Sequence, residues 1–202
     1  AMGISVSGAA DRRAASLANR LIGSAHTAAV VEILLGPFRA TALADRWIAV
    51  TGGLGAFRID GRDADPHRAV FWPAGSTLEI GPLVTGLRAY LAVRNGFDVP
   101  EYLGSRSTFA LGQFGGHAGR TLKVADLLPV SRPELSACTT PAPVSEPQAL
   151  AASLVPEYGD SWRIGVLYGP HGAPDFFSQK SIDDFFASEW QVHYNSNRLG
   201  VR

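Results

Sequence analysis

Trp47-Ile48-Ala49-Val50-Thr51-Gly52-Gly53 and Arg88-Ala89-Tyr90-Leu91-Ala92-Val93 point to the architecture. Both are short apolar runs that end where the character of the chain changes, and Val30 to Leu35 and Ala69 to Trp72 are runs of the same kind. Gly36-Pro37, Gly52-Gly53, Asp60-Gly61, Pro73-Ala74-Gly75 and Gly81-Pro82 stand between such runs as turn signals, because glycine admits positive φ and proline fixes φ and removes a donor. Strands this short and this regularly punctuated, from Ala29 to about Phe109, predict a mainly β chain built as a barrel or sandwich, with a few helices.

On the amino-terminal side of these runs, Ala14, Leu17, Ala18, Leu21 and Ile22 recur at helical spacing after Asp11. Arg12, Arg13, Ser16, Asn19 and Arg20 take the opposite face, and Gly23 ends the helix. On the other side of the β region, residues 131–148 hold four prolines with serine and threonine and no apolar period, which predicts a connector. The expected division is a β-rich subdomain over 1–133 with its leading helix, a proline-rich linker over 134–148, and the start of a second β-rich subdomain over 149–202. In that last part Trp162 to Tyr168 reads as a strand broken by Gly169-Pro170. Ser181 with Asp184 reads as a capping box for a short helix that carries Ile182, Phe185, Phe186 and Trp190 on one face, and Val192 to Ser196 reads as a strand.

Of the 202 residues, 46% are hydrophobic, ample for a core. Eighteen basic residues balance eighteen acidic ones, so no long-range field draws the chain to a phosphate backbone or an anionic membrane. A lone Cys138 makes no intramolecular disulfide, and no signal-like start or membrane-length apolar run is present, so a cytoplasmic location is expected.

Chemistry concentrates in two places. His193, Asn195 and Asn197 alternate, so on a strand they share one face, either a binding face or a hydrogen-bonded edge. Arg198 points the other way unless a turn at Asn197 brings both to one pocket; guanidinium clamps a carboxylate or phosphate, and asparagine offers a donor and an acceptor together. Ser105-Arg106-Ser107-Thr108 follows Gly104 and is either an anion site or a turn whose hydroxyls bond their own backbone. Asp11 is a helix cap or a ligand to substrate. None of the five histidines stands at a metal-ligand spacing from another His, Cys or carboxylate, so no metal is expected. Ser7 lacks a nucleophile-elbow context, and Gly112 to Gly119 lacks the lysine-serine ending of a phosphate loop and reads as a flexible loop.

Taken together, Ser7-Gly8-Ala9-Ala10-Asp11, Gly96-Phe97-Asp98-Val99-Pro100, Tyr102 to Phe109 (YLGSRSTF) and the closing His193 to Gly200 (HYNSNRLG) stand in the order of one family. The chain resembles the KipA-like proteins, also called allophanate hydrolase subunit 2 and the C subunit of 5-oxoprolinase, and the matching half of the carboxyltransferase domain of urea carboxylase. Ala10 stands where most relatives have methionine, and relatives extend further at both ends, so a fragment is expected. The resemblance implies cyclophilin-like β-barrel subdomains and one half of a two-protein, ATP-dependent amidohydrolase. Its partner would be a KipI-like subunit, and its reaction the opening of 5-oxoproline to glutamate or hydrolysis of allophanate. ATP, with Mg, would be shared with that partner. The site residues it implies are His193, Asn197 and Arg198 as catalytic groups, with Asn195, Ser105, Arg106, Ser107 and Asp11 holding substrate. Two alternatives come with the resemblance: a regulatory protein that antagonises a KipI-like kinase inhibitor, and the carboxyltransferase component of a biotin-dependent urea carboxylase.

Overall fold

A computed structural model describes residues 8–132, 149–159 and 161–191. These fall into two compact units, one within residues 6–159 and one within 160–202. Residues 149–159, grouped with the second subdomain on sequence, cluster with the first unit. The expected linker over 134–148 and the expected strand at Val192 to Ser196 lie outside the described residues.

The first unit holds a helix, α1 (Arg12–Leu21), and eight strands: β1 (Val31–Leu34), β2 (Phe38–Thr41), β3 (Arg46–Leu54), β4 (Phe57–Ile59), β5 (Arg62–Asp63), β6 (Ala69–Trp72), β7 (Thr77–Ile80) and β8 (Thr85–Val93). They form two antiparallel four-stranded sheets, ordered β1-β8-β3-β6 and β2-β7-β4-β5. The mainly β expectation holds.

β3 and β8 read as continuous apolar runs because both of their faces are covered. Ile48, Val50, Ala89, Leu91 and Val93 pack with Phe57, Leu78 and Ile80 of the second sheet. The alternate residues, Ala49 and Ala92, pack on Ala18, Leu21 and Ile22 at α1, and Tyr90 packs on Ala14 and Ala15. The period of two along each strand thus divides its side chains between a sheet-sheet core and a helix-sheet core.

Gly52-Gly53 is no turn: both glycines lie inside β3, where the register against β8 shifts. A Cβ on Gly52 (φ +89°) would stand 2.6 Å from the Arg88 carbonyl oxygen, so glycine here permits a bulge with close backbone approach. Asp60-Gly61 does form the β4–β5 turn, with both residues at positive φ.

Helix α1 starts where predicted, with Asp11 accepting from the Ala14 N–H at 2.9 Å. It ends at Gly23, whose N–H donates to Arg20 O while the Ser24 N–H donates to Asn19 O, a Schellman closure. Asn19 is a correction to the polar face: it is buried, and its Nδ2 donates to the Ala28 carbonyl at 2.9 Å, fastening the chain that leaves the helix.

In the second unit, Trp162 to Tyr168 forms no strand; it is exposed and no described segment offers it a ladder partner. Helix α2 (Gln179–Ala187) forms, but its cap is Ser178, three residues before the Ser181 expected on sequence, with Ser178 accepting from the Ser181 N–H. Trp190 lies beyond the helix and donates its indole N–H to Phe185 O at 2.8 Å. Among the described residues no helix is long and apolar enough to cross a membrane.

Candidate functional site

Two of the sequence motifs meet in space. Gly8 takes φ +122°, and a Cβ built on it would lie 4.0 Å from Ser107 Oγ, so the turn leading into α1 and the loop after Gly104 face each other. The loop begins with a tight two-residue turn. Tyr102 and Ser105 exchange N–H···O bonds of 2.8 and 3.0 Å across Leu103 and Gly104, both at positive φ.

Within the loop, Ser105 Oγ accepts from the Ser107 N–H at 3.1 Å. The Arg106 guanidinium donates to the Val99 carbonyl and lies 4.0 Å from Glu101. The Ser105 bond is the local kind open to a hydroxyl-rich turn, while Arg106 ties the loop back to the segment at Val99 and Glu101. Behind them, Gly112 to Gly119 closes on its own chain: Gly115 abuts Ser107 O, Gly116 abuts the Thr108 side chain, and Gly119 abuts Gln113 O, each too close to admit a Cβ. Phe114 packs at a tilt against Tyr102 and Phe109, with ring centroids 5.0 and 5.1 Å apart. This glycine-rich stretch, expected to be a flexible loop, is a close-packed series of turns. Arg120 grips Asp126 through two bonds of 2.7 Å, which hold that carboxyl far below the usual aspartate range, and His117 Nε2 stands 3.6 Å from the same carboxylate.

Around the fully buried Tyr90 lies a half-buried polar network invisible to a linear reading. The Tyr90 hydroxyl, on a fully buried side chain, accepts from the Asp11 N–H at 2.7 Å and donates to Glu32 Oε2 at 3.0 Å. Glu32 also accepts from the Ala10 N–H at 2.9 Å and pairs with Arg88, whose Nε lies 3.3 Å away, near enough for ion pairing but not aligned as a hydrogen bond. Asp11 uses both oxygens within the chain, Oδ1 on the Ala14 N–H and Oδ2 on the Tyr158 hydroxyl at 2.9 Å. Burial pushes both tyrosine hydroxyls well above their ordinary pKa, so they remain protonated donors.

Asp11, Ser105, Arg106 and Ser107 are therefore placed around one turn-loop pair. His193, Asn195, Asn197 and Arg198 lie outside the described residues. Glu32, Tyr90 and Tyr158 escaped the sequence reading. For Glu32 one signal was present, an acid in the middle of the apolar run Val30 to Leu35.

A family model for the carboxyltransferase domain, subdomain A and B, matches residues 2–202. The urea amidolyase of Lachancea kluyveri is 45% identical over 203 residues, covering 100% of this chain and 11% of that protein. The C subunit of the Escherichia coli 5-oxoprolinase is 34% identical over 200 residues, 99% of this chain and 60% of that polypeptide. Among solved structures, the K. lactis urea amidolyase superposes with a TM-score of 0.83 at 43% identity, over 97% of this chain and 12% of that one. The chain thus spans about a tenth of the length of the urea amidolyases it matches.

Proposed function

Because the chain belongs to the carboxyltransferase-domain family, subdomains A and B, we propose that it supplies part of an enzyme acting on a small amide, with urea as the substrate. The observation that carries this choice is the 45% identity with a urea amidolyase along the whole chain, against 34% with a 5-oxoprolinase polypeptide. Opening of 5-oxoproline by a two-protein, ATP-dependent hydrolase with a KipI-like partner is the second reading. It rests on the 5-oxoprolinase relative, 60% of whose length this chain covers. A cyclophilin-like β architecture, a cytoplasmic location and composite sites shared with other domains or subunits belong to the same proposal.

Among the described residues the glycine-rich stretch and the start of α1 offer no open phosphate cradle for ATP. The glycines of residues 112–119 are filled by the chain's own atoms, and the Ala10 and Asp11 amides at the start of α1 are taken by Glu32 and Tyr90. The ATP site is assigned to the remainder of the enzyme. The roles proposed for this chain are substrate recognition and charge stabilisation. Asn195 and Asn197 present a donor and an acceptor to an amide or ureido group, Arg198 neutralises developing negative charge, and His193 moves a proton. In the first unit, Ser105, Arg106, Ser107 and Asp11, on the turn-loop pair, are proposed to face substrate.

The test uses the complete enzyme that carries this chain. ATP turnover is measured with bicarbonate and urea, or with 5-oxoproline alone, with and without avidin. Urea-dependent turnover blocked by avidin is expected. Avidin-insensitive turnover that requires 5-oxoproline replaces the first reading with the second. Tight binding of a KipI-like protein with no turnover of either substrate favours the regulatory alternative over both.

A further inference from the structure

Residues 149–159 return from the proline-rich stretch to bind the helix-bearing side of the first unit. Ala149 bridges Arg68, the Leu150 N–H donates to His67 O at 3.0 Å, and the Leu150 side chain joins the cluster of Ala18, Ala49, Ala69 and Ala92. Arg13 reaches the Leu154 carbonyl at 3.4 Å. At the end of the segment Tyr158 lies against Gly86, where a Cβ would stand 3.2 Å from its ring, and its hydroxyl donates to Asp11 Oδ2.

Asp11 is thereby held from two sides, by Tyr90 on its amide and by Tyr158 on its carboxylate. Three residues earlier in the chain, Gly8 faces Ser107, whose Oγ lies 4.0 Å from where a Cβ on Gly8 would stand. We propose that Tyr158 is a positioning residue: it fixes the Asp11 carboxylate, and through it the Gly8–Asp11 turn, against the Ser105–Thr108 loop. The proposal rests on the reading of that turn-loop pair as facing substrate. An N-cap aspartate bonded through one oxygen alone still pivots about that bond, whereas a second donor on its other oxygen fixes the carboxylate plane and with it the backbone that carries it. Because Tyr158 is 147 residues from Asp11 in sequence, the site of the first unit is complete only when residues 149–159 are docked.

Tyr158→Phe in the complete enzyme tests this, since it deletes one hydroxyl and keeps the ring on Gly86. Amide hydrogen exchange is expected to quicken by about tenfold at residues 8–14 and 105–109 and to stay unchanged in β3 and β8. The value of kcat for urea falls about tenfold with KM nearly constant, the pattern of a misplaced constellation rather than of lost binding. Asp11→Asn combined with Tyr158→Phe is no worse than the worse single variant. Unchanged exchange in both segments overturns the proposal whatever the kinetics. Faster exchange with full kcat also overturns it, leaving Tyr158 a staple alone. If the wild-type enzyme turns over neither substrate, the functional reading has failed, and the exchange measurement still decides whether Tyr158 positions the loop.

Discussion

Tyr90→Phe isolates one hydroxyl at the centre of the first unit. The ring is fully buried and its packing on Ala14 and Ala15 survives the substitution, so no cavity larger than the lost oxygen is created. What is lost is a double role: the Asp11 N–H loses its acceptor at 2.7 Å, and Glu32 loses a donor at 3.0 Å. A buried polar group left without its partner costs about 1–3 kcal/mol. Glu32 keeps the Ala10 N–H and Arg88, so its share is the smaller one. Together the two losses come to about 3 kcal/mol, which lowers the melting temperature of a unit this size by about 6–12 °C. The assay is a guanidinium chloride titration followed by Trp47 and Trp72 fluorescence in a background with Trp162→Phe and Trp190→Phe, which silences the second unit. The midpoint should fall with the slope unchanged, because the surface exposed on unfolding is the same. A loss below about 1 kcal/mol at constant slope would contradict this account, because it would mean that both groups find other partners at no cost.

Gly52→Ala should destabilise the first unit by at least about 2 kcal/mol, since it combines positive φ with a Cβ driven into the Arg88 carbonyl; an unchanged melting temperature contradicts the bulge. His67 is buried with Nε2 unpartnered, and burial holds its pKa below the ordinary value. Its folded state therefore resists protonation, and stability is full above the unfolded pKa of about 6.5 and declines as pH falls toward the folded value. His67→Asn, which tolerates the φ of +57°, should flatten the fall in melting temperature between about pH 7 and 5; a wild-type slope in the variant removes His67 as its source. Asn197→Ala and Arg198→Lys should each reduce turnover of the complete enzyme by tenfold or more, as for loss of an anion-stabilising donor worth roughly 2.7–4 kcal/mol, with melting little changed. Lower melting temperature with normal turnover per folded molecule would assign both residues to the fold instead.

Features set by local chemistry were legible in the amino-acid order. The period of the strands, the α1 start at Asp11 and its end at Gly23, and the Asp60-Gly61 turn are fixed by propensity and capping within a few residues of each position. The family was legible for a related reason, since its motifs are contiguous words such as residues 102–109. Features whose partners lie far along the chain emerged only from the folded molecule. Gly52-Gly53 looks like a turn until β8 is laid beside β3 and the Arg88 carbonyl occupies the space of a side chain. Asn19 looks like a surface residue until the carbonyl of Ala28 appears beneath it. Trp162 to Tyr168 has the composition of a strand, yet a strand needs a neighbour to accept its hydrogen bonds, and no described segment supplies one. The network of Glu32, Tyr90, Asp11 and Tyr158 joins residues up to 147 positions apart, and no periodicity in the sequence encodes that distance. Those contacts form only once two sheets and a helix have been packed, and that packing is what brings the Gly8 turn against Ser107.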